Sequence, residues 1–292
     1  MKLGRIRWQG EPRLVLIDEA GQTATLVEGD LARHPNPVLA VIEGRLLEAD
    51  LQRGTPLPLA GLERLAPLSA LVRNVMAVGK NYHEHALEFD KSGFNATTGG
   101  ASAIPTHPQL FTKATTALAG PDDAIRFDPA HTTSVDYEGE IGVVIGERCR
   151  NVSAADAMGK VFGFVAVNDV TARDLQRNHA QWFLGKSLDT FCPLGPWIAT
   201  PDSAPADKLR VRTWVNDELR QDAAIGQLIF DVPTLIATLS RAMTLLPGDI
   251  IATGTPVGVG IGFSPPRFLR HGDRVRVAVD GLGEMNNAVE AA

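Results

Sequence analysis

The chain has 292 residues, 44% of them hydrophobic and 21% charged, a balance that supports a large globular core. Its 28 basic and 34 acidic residues give a formal net charge of -6, and no basic stripe stands out, which argues against general nucleic-acid binding or docking on an anionic membrane. Two cysteines, Cys149 and Cys192, without C-x-x-C spacing exclude a disulfide framework or zinc finger, and no apolar run reaches the roughly 18 residues of a membrane span. The first residues carry no apolar signal core, so a reduced, cytoplasmic protein is expected.

Residues 1–70 read as a small N-terminal β module, with short β-like runs over 2–8, 13–17 and 23–27 followed by a proline-rich stretch. A boundary is placed near 68–72, leaving 71–292 as a second, larger domain. Residues 75–78 form a buried-strand candidate. The chain then turns at Gly79-Lys80-Asn81, and Asn81 with Glu84 reads as a capping box for a helix over 82–89. The segment 90–108 has no periodicity and is rich in Gly, Ser and Thr, the composition of a long functional loop, and a lid over the substrate is expected there. Residues 135–145 and 161–168 read as strands, with Thr171 and Asp174 capping a helix after Asp169. Asn216-Asp217 marks a hairpin between 210–215 and 218–222. A helix is expected over 233–243, a strand over 250–253, and two final strands around Gly281.

Several familiar motifs fail. Gly185-Lys186-Ser187 resembles the end of a phosphate-binding P-loop, but the required glycine five positions earlier is Ala180. The glycine-rich 253–263 stretch does not fit G-x-G-x-x-G and leads into Ser264-Pro265-Pro266 rather than a helix. There is no G-x-S-x-G and no H-E-x-x-H.

Three acids carry more information. In the segment Asp136-Tyr137-Glu138-Gly139-Glu140, positions i and i+2 of a strand share one face, so Glu138 and Glu140 project side by side. Ile141, Val143, Val144 and Ile145 follow directly, which points to a buried strand. Buried neighbouring carboxylates repel unless a proton or a cation lies between them. Asp169 ends the apolar run 161–168, and three carboxylates suit Mg2+ or Mn2+. The competing reading is a solvated strand face whose acids pair with arginines. His85 and Glu88 are three apart on the helix, a spacing that fits a carboxylate-oriented general base and equally an ordinary surface contact. Lys186, in GKSLDTFCPLG, reads either as an oxyanion-holding group or as a plain surface lysine.

Together these stretches resemble the fumarylacetoacetate hydrolase family, in its catalytic C-terminal domain. The matching segments are VGKNYHEHALE, DYEGEIGVVIG, NDVTARDLQ, GKSLDTFCPLGPW, VNDELRQD and LLPGDIIATGTPVGVG, in order over 78–260. The resemblance implies a β-rich α+β fold, a mixed β-sandwich or roll, and a homodimer. It implies a divalent metal, Mg2+ with Mn2+ or Ca2+ as alternatives, on Glu138, Glu140 and Asp169. It assigns catalytic roles to His85, Glu88 and Lys186, and substrate contacts to Arg173, Gln176, Gly254 and Thr255. The N-terminal module is shorter than the first domain of fumarylacetoacetase itself.

The activity so implied is hydrolysis of a C–C bond in a small anionic β-diketo or 2-oxo acid of acylpyruvate or fumarylpyruvate type. Isomerisation or decarboxylation of hydroxymuconate-type acids or of oxaloacetate is the alternative within the family. A non-catalytic metal- or 2-oxo-acid-binding protein is the alternative outside it.

Overall fold

The computed structural model describes residues 1–94 and 103–291. Its larger sheet runs, in spatial order, through Arg53–Pro58, Thr23–Val27, Glu11–Asp18, Lys2–Trp8, Cys192–Ala199, Val161–Asn168, Gly139–Ile145, Ile250–Ala252, Val75–Gly79 and Gln109–Lys113. Neighbours on this path are antiparallel except Ile250–Ala252 beside Val75–Gly79. A second sheet orders Glu218–Ala224, Arg210–Val215, Arg274–Val279, Gly283–Ala291 and Ile125–Phe127, the last pair parallel. This is the β-rich α+β architecture with mixed sheets that the sequence suggests.

Period-2 alternation sends each strand's side chains to two different cores. Ile141, Val143 and Phe164 of the larger sheet share one core with Val211, Val277 and Met285 of the smaller. Val144, Val165 and Val167, on the opposite face, pack with Val38, Val41 and Ile42 of the Pro37–Gly44 helix. The N-terminal hairpins join the larger sheet directly, because Lys2 pairs with Ala199 and Leu3 with Ile198. Hydrogen bonding therefore runs unbroken past residue 70. Among the described residues no helix is long and apolar enough to cross a membrane.

Local signals hold where short-range chemistry decides. Asn216 and Asp217 both adopt left-handed conformations, φ 50 and 66, in the tight hairpin turn. The Val232–Ala242 helix has Pro233 in its first turn, and Asp231 accepts from the Thr234 amide at 2.9 Å.

Three expectations are corrected. The 135–145 strand is interrupted: Val135–Asp136 pairs with Thr171–Ala172, and Gly139–Ile145 belongs to the larger sheet. Thr171 therefore sits in a strand pair, donating to Asp169 O at 2.9 Å, and the next helix, Arg173–Asn178, starts without a side-chain cap. Asn81 does not cap the next helix either, which spans His83–Lys91. Its amide instead donates to Phe230 O (3.0 Å) and Thr253 O (2.8 Å) and accepts from the Phe230 amide (2.8 Å). A buried side chain finds better partners across the fold than along its own helix. Of the lid expected over 90–108, residues 95–102 lie outside the described residues, and Asp90 and Lys91 belong to the helix.

Asn81→Ala would strand a buried amide N–H and two carbonyls. A loss of roughly 3 kcal/mol is expected, read as a lower urea midpoint at unchanged slope.

Candidate active site

Strand register builds the site. Gly139 pairs with Asn168, and Glu140 with Val167. Beyond that ladder the Asp169 amide donates to Glu138 O at 2.8 Å, and the Glu138 amide donates to Asn168 Oδ1 at 3.0 Å. Glu138 and Asp169 thus face each other across the frayed end of two paired strands, with Glu140 just inside. Glu138 itself lies outside the strand, so chain bending as well as strand alternation brings the acids together. One carboxylate oxygen from each of Glu138, Glu140 and Asp169 falls within 4.8 Å of the others, and all three residues are buried.

Buried cations surround the acids. Lys186 Nζ lies 2.7 Å from both Glu138 Oε2 and Asp169 Oδ2. Lys113 Nζ reaches Asp169 Oδ1 at 2.6 Å and donates to Val170 O at 3.0 Å. Arg173 bridges Asp136 (2.9 Å) and Glu138 (2.6 Å) and donates to Gln176 Oε1 at 3.1 Å. Asp136 also accepts from the Gly260 and Ile261 amides, at 2.7 and 3.1 Å. These contacts overturn the reading of Lys186 as a surface lysine and of the acids as a solvated face.

The two glutamates titrate in opposite directions. Burial alone would raise Glu138, but the charges of Arg173 and Lys186 outweigh it and hold the carboxyl well below its ordinary range. Glu140 is pushed well above its ordinary range by burial and then by the charges of Asp169 and Glu138. Its Oε2 accepts from the Gly254 amide at 2.8 Å, but among the described residues no cationic side chain pairs with it. Three converging oxygen donors, one lacking a cation, form a donor set suited to a hard divalent ion.

The His83–Lys91 helix supplies the second group. His85 Nδ1 lies 3.0 Å from Glu88 Oε2, and Glu88 Oε1 accepts from the Gly258 amide at 3.0 Å. The His85 side chain is buried and that of Glu88 is mostly so. With the proton on Nδ1 shared with Glu88, Nε2 is left as the ring's basic nitrogen. Gly262 approaches so closely that a Cβ there would stand 1.9 Å from Glu88 Oε1.

His85, Glu138, Glu140, Arg173, Gln176, Lys186 and Thr255 line one small cavity, with Val78, Gly79, Lys80, Phe89, Phe111 and Trp182 completing its wall. The sequence-expected residues therefore converge, with two qualifications. Gly254 acts through its amide on Glu140. Thr255 gives its hydroxyl proton to Gly139 O (3.1 Å) while accepting from Gln221 Nε2 (2.7 Å). Sequence reading missed Lys113, Asp136, Gln221 and Lys80. Asp136, Lys80 and Gln221 each lie in a segment that carries the family resemblance, whereas Lys113 lies in none of them. A wider groove lies elsewhere, beside Arg64 and Trp197, and holds none of these groups.

The chain matches the family described as "Fumarylacetoacetate (FAA) hydrolase C-terminal" over residues 74–290. It belongs to the fumarylacetoacetate hydrolase family. Within that family it is 46% identical over 225 residues to "Oxaloacetate tautomerase YisK" of Bacillus subtilis, an alignment covering 77% of this chain and 72% of that one. The structure superposes with TM-score 0.84 on "Fumarylacetoacetate hydrolase (EaFAH)" from Exiguobacterium antarcticum, 39% identical with both chains fully covered. It also superposes, at TM-score 0.78 and 32% identity with both chains fully covered, on a maleylpyruvate hydrolase from Sphingobium sp. SYK-6. The fumarylacetoacetate hydrolase relatives thus bear names of both tautomerases and hydrolases.

Glu140→Gln is expected to weaken Mn2+ binding by roughly 100-fold or more, measured by calorimetry. Gly262→Ala should displace Glu88 and lower kcat about 10- to 100-fold while leaving Mn2+ affinity unchanged, a split that separates the dyad from the metal site.

Proposed function

We propose that the chain is an enzyme that interconverts the keto and enol forms of a small 2-oxo dicarboxylate of the oxaloacetate class. The observation that carries this reading is a histidine base, two buried carboxylates and a buried lysine on one small cavity: His85, oriented by Glu88, shares it with Glu138, Glu140 and Lys186. The oxaloacetate tautomerase relative supports the choice of reaction.

Glu138, Glu140 and Asp169 would hold a divalent cation, Mg2+ first with Mn2+ or Ca2+ as substitutes, which supplies Lewis-acid polarisation of the 2-oxo and carboxylate oxygens. His85 Nε2 takes a proton from C3. The C–H pair becomes the C2–C3 double bond, and the carbonyl pair moves onto oxygen. Burial opposes the Lys186 charge, but Asp169 and Glu138 outweigh it and keep its pKa above the ordinary lysine value, so Lys186 stays an ammonium that can hydrogen-bond that oxygen, and the proton that His85 took is the one returned to it. Glu88 holds the imidazolium that forms and fixes the ring. Gln176, whose carbonyl is committed to Arg173, offers its amide nitrogen to the substrate carboxylate, with Gly254 and Thr255 framing the same end. Residues 71–292 carry this chemistry, 1–70 extend the sheet, and the working form is a cytoplasmic homodimer.

C–C hydrolysis of an acylpyruvate is the second reading, because a carboxylate-oriented histidine equally activates water and a maleylpyruvate hydrolase shares the fold.

The test follows the loss of enol absorbance from oxaloacetate with Mg2+ and with chelator. Metal-dependent acceleration without decarboxylation, lowered roughly 10²- to 10⁴-fold by His85→Ala, is the expected result. Pyruvate release from acylpyruvates with no effect on oxaloacetate would replace tautomerisation by hydrolysis. Metal binding with no turnover of either substrate would leave only a binding protein. Full kcat in His85→Ala would remove His85 as the base.

A further inference from the structure

Glu88 orients His85 only while its own position is held, and it has few holds. One carboxylate oxygen faces His85 Nδ1, and the other accepts from the Gly258 amide at 3.0 Å. Among the described residues no lysine or arginine pairs with it. The Gly258 amide is thus the one hydrogen-bonded hold on Glu88 besides His85 itself.

A glycine is a weak anchor when its backbone is free to rotate. Three contacts remove that freedom here. Tyr137, fully buried, donates its hydroxyl proton to Gly258 O at 2.7 Å. Gln221 Nε2 donates to Pro256 O at 2.8 Å, two residues earlier in the chain. The Arg220 carbonyl lies so near that a Cβ on Gly258 would stand 1.9 Å from it.

Arg220 extends the chain of contacts outward. Its Nη1 donates to the Tyr137 hydroxyl oxygen at 3.3 Å, which directs the hydroxyl hydrogen toward Gly258 O. The guanidinium is fixed in turn by Glu218 Oε2, at 3.0 Å from Nη2, and by the Phe263 ring, whose centroid lies 4.8 Å from its central carbon. Its Nε is buried with no acceptor among the described residues, an uncommon state that marks a pose kept for its other contacts. Donors and acceptors therefore run from Arg220 to Tyr137, from Tyr137 to Gly258, and from Gly258 to Glu88. Neither Tyr137 nor Arg220 lines the cavity.

We infer that Tyr137 and Arg220 are positioning residues for the histidine base. They fix Gly258, which holds Glu88 against His85 Nδ1 and so keeps Nε2 free for the substrate. This rests on the reading of His85 as the base and deepens it by naming what orients the pair from outside the cavity.

The experiment follows the His85 Nδ1 proton by NMR in protein carrying isotope-labelled histidine, with His85→Ala assigning the signal. In wild type this proton is expected to exchange slowly with water. Tyr137→Phe removes only the hydroxyl, and Arg220→Met removes the guanidinium. Each should speed the exchange roughly tenfold in folded protein. The kinetic counterpart is a cycle with Glu88→Gln. Tyr137→Phe alone should lower kcat about tenfold, with KM and Mn2+ affinity within about twofold of wild type. Added to Glu88→Gln, it should cost less than about twofold more, because it acts only through Glu88. A full additive loss, as a merely structural role would give, would overturn the inference. So would unchanged exchange in both variants, or a His85 Nδ1 proton that already exchanges at the solvent rate in wild type. If wild type turns over no 2-oxo acid, the reading of His85 as a base falls, and the exchange rates still decide whether Tyr137 and Arg220 hold the pair.

Discussion

The site depends first on the compensation of buried charge. Four carboxylates sit in the interior, where each would cost several kcal/mol if left unpaired. Arg173 answers this most completely, with Asp136 on one arm, Glu138 on another and Gln176 on a third. Lys113 and Lys186 do the same for Asp169. Among the described residues Glu140 is the one acid of the four that no cationic side chain pairs with, and that position is what turns a structural charge cluster into a candidate cation site.

The same network ties distant parts of the chain to the cavity. Asp136 collects amides from Gly260 and Ile261, and Glu88 takes the amide of Gly258, so the segment 258–262 is hydrogen-bonded to both the arginine network and the histidine dyad. Glycines make these approaches possible: Gly258 is left-handed at φ 108, and a Cβ there would meet Arg220 O at 1.9 Å. Gln221, from the second sheet, accepts from the Gly139 amide and donates to Thr255 Oγ1, so both sheets contribute to one wall. Rigid elements and short backbone contacts thus hold the reactive groups, the arrangement that preorganised chemistry requires.

Much of this was legible in the sequence wherever the signal was local. The hairpin at Asn216-Asp217, the capped and proline-started helix after Asp231, and the apolar 161–168 strand needed only neighbouring residues to decide them. The family-bearing segments carried the acid triad, the His85–Glu88 spacing and Lys186. Other local signals were outcompeted. Asn81 and Thr171 are good capping residues by chemistry, yet Asn81 is buried where carbonyls from other segments offer partners, Thr171 turns back to the carbonyl of Asp169, and capping lost.

Composition and charge settled only a globular chain, while the segments that resemble the fumarylacetoacetate hydrolase family implied its β-rich α+β fold and three candidate metal ligands, because those features depend on residue type and on spacing within one segment. Tertiary structure alone decided which charges meet. Lys113 comes from an edge strand outside every family-bearing segment, and nothing near it announces a carboxylate 56 positions away. A charge partner is set by where separate strands pack, and electrostatic energy follows distance in space and burial from water, neither of which a linear spacing records.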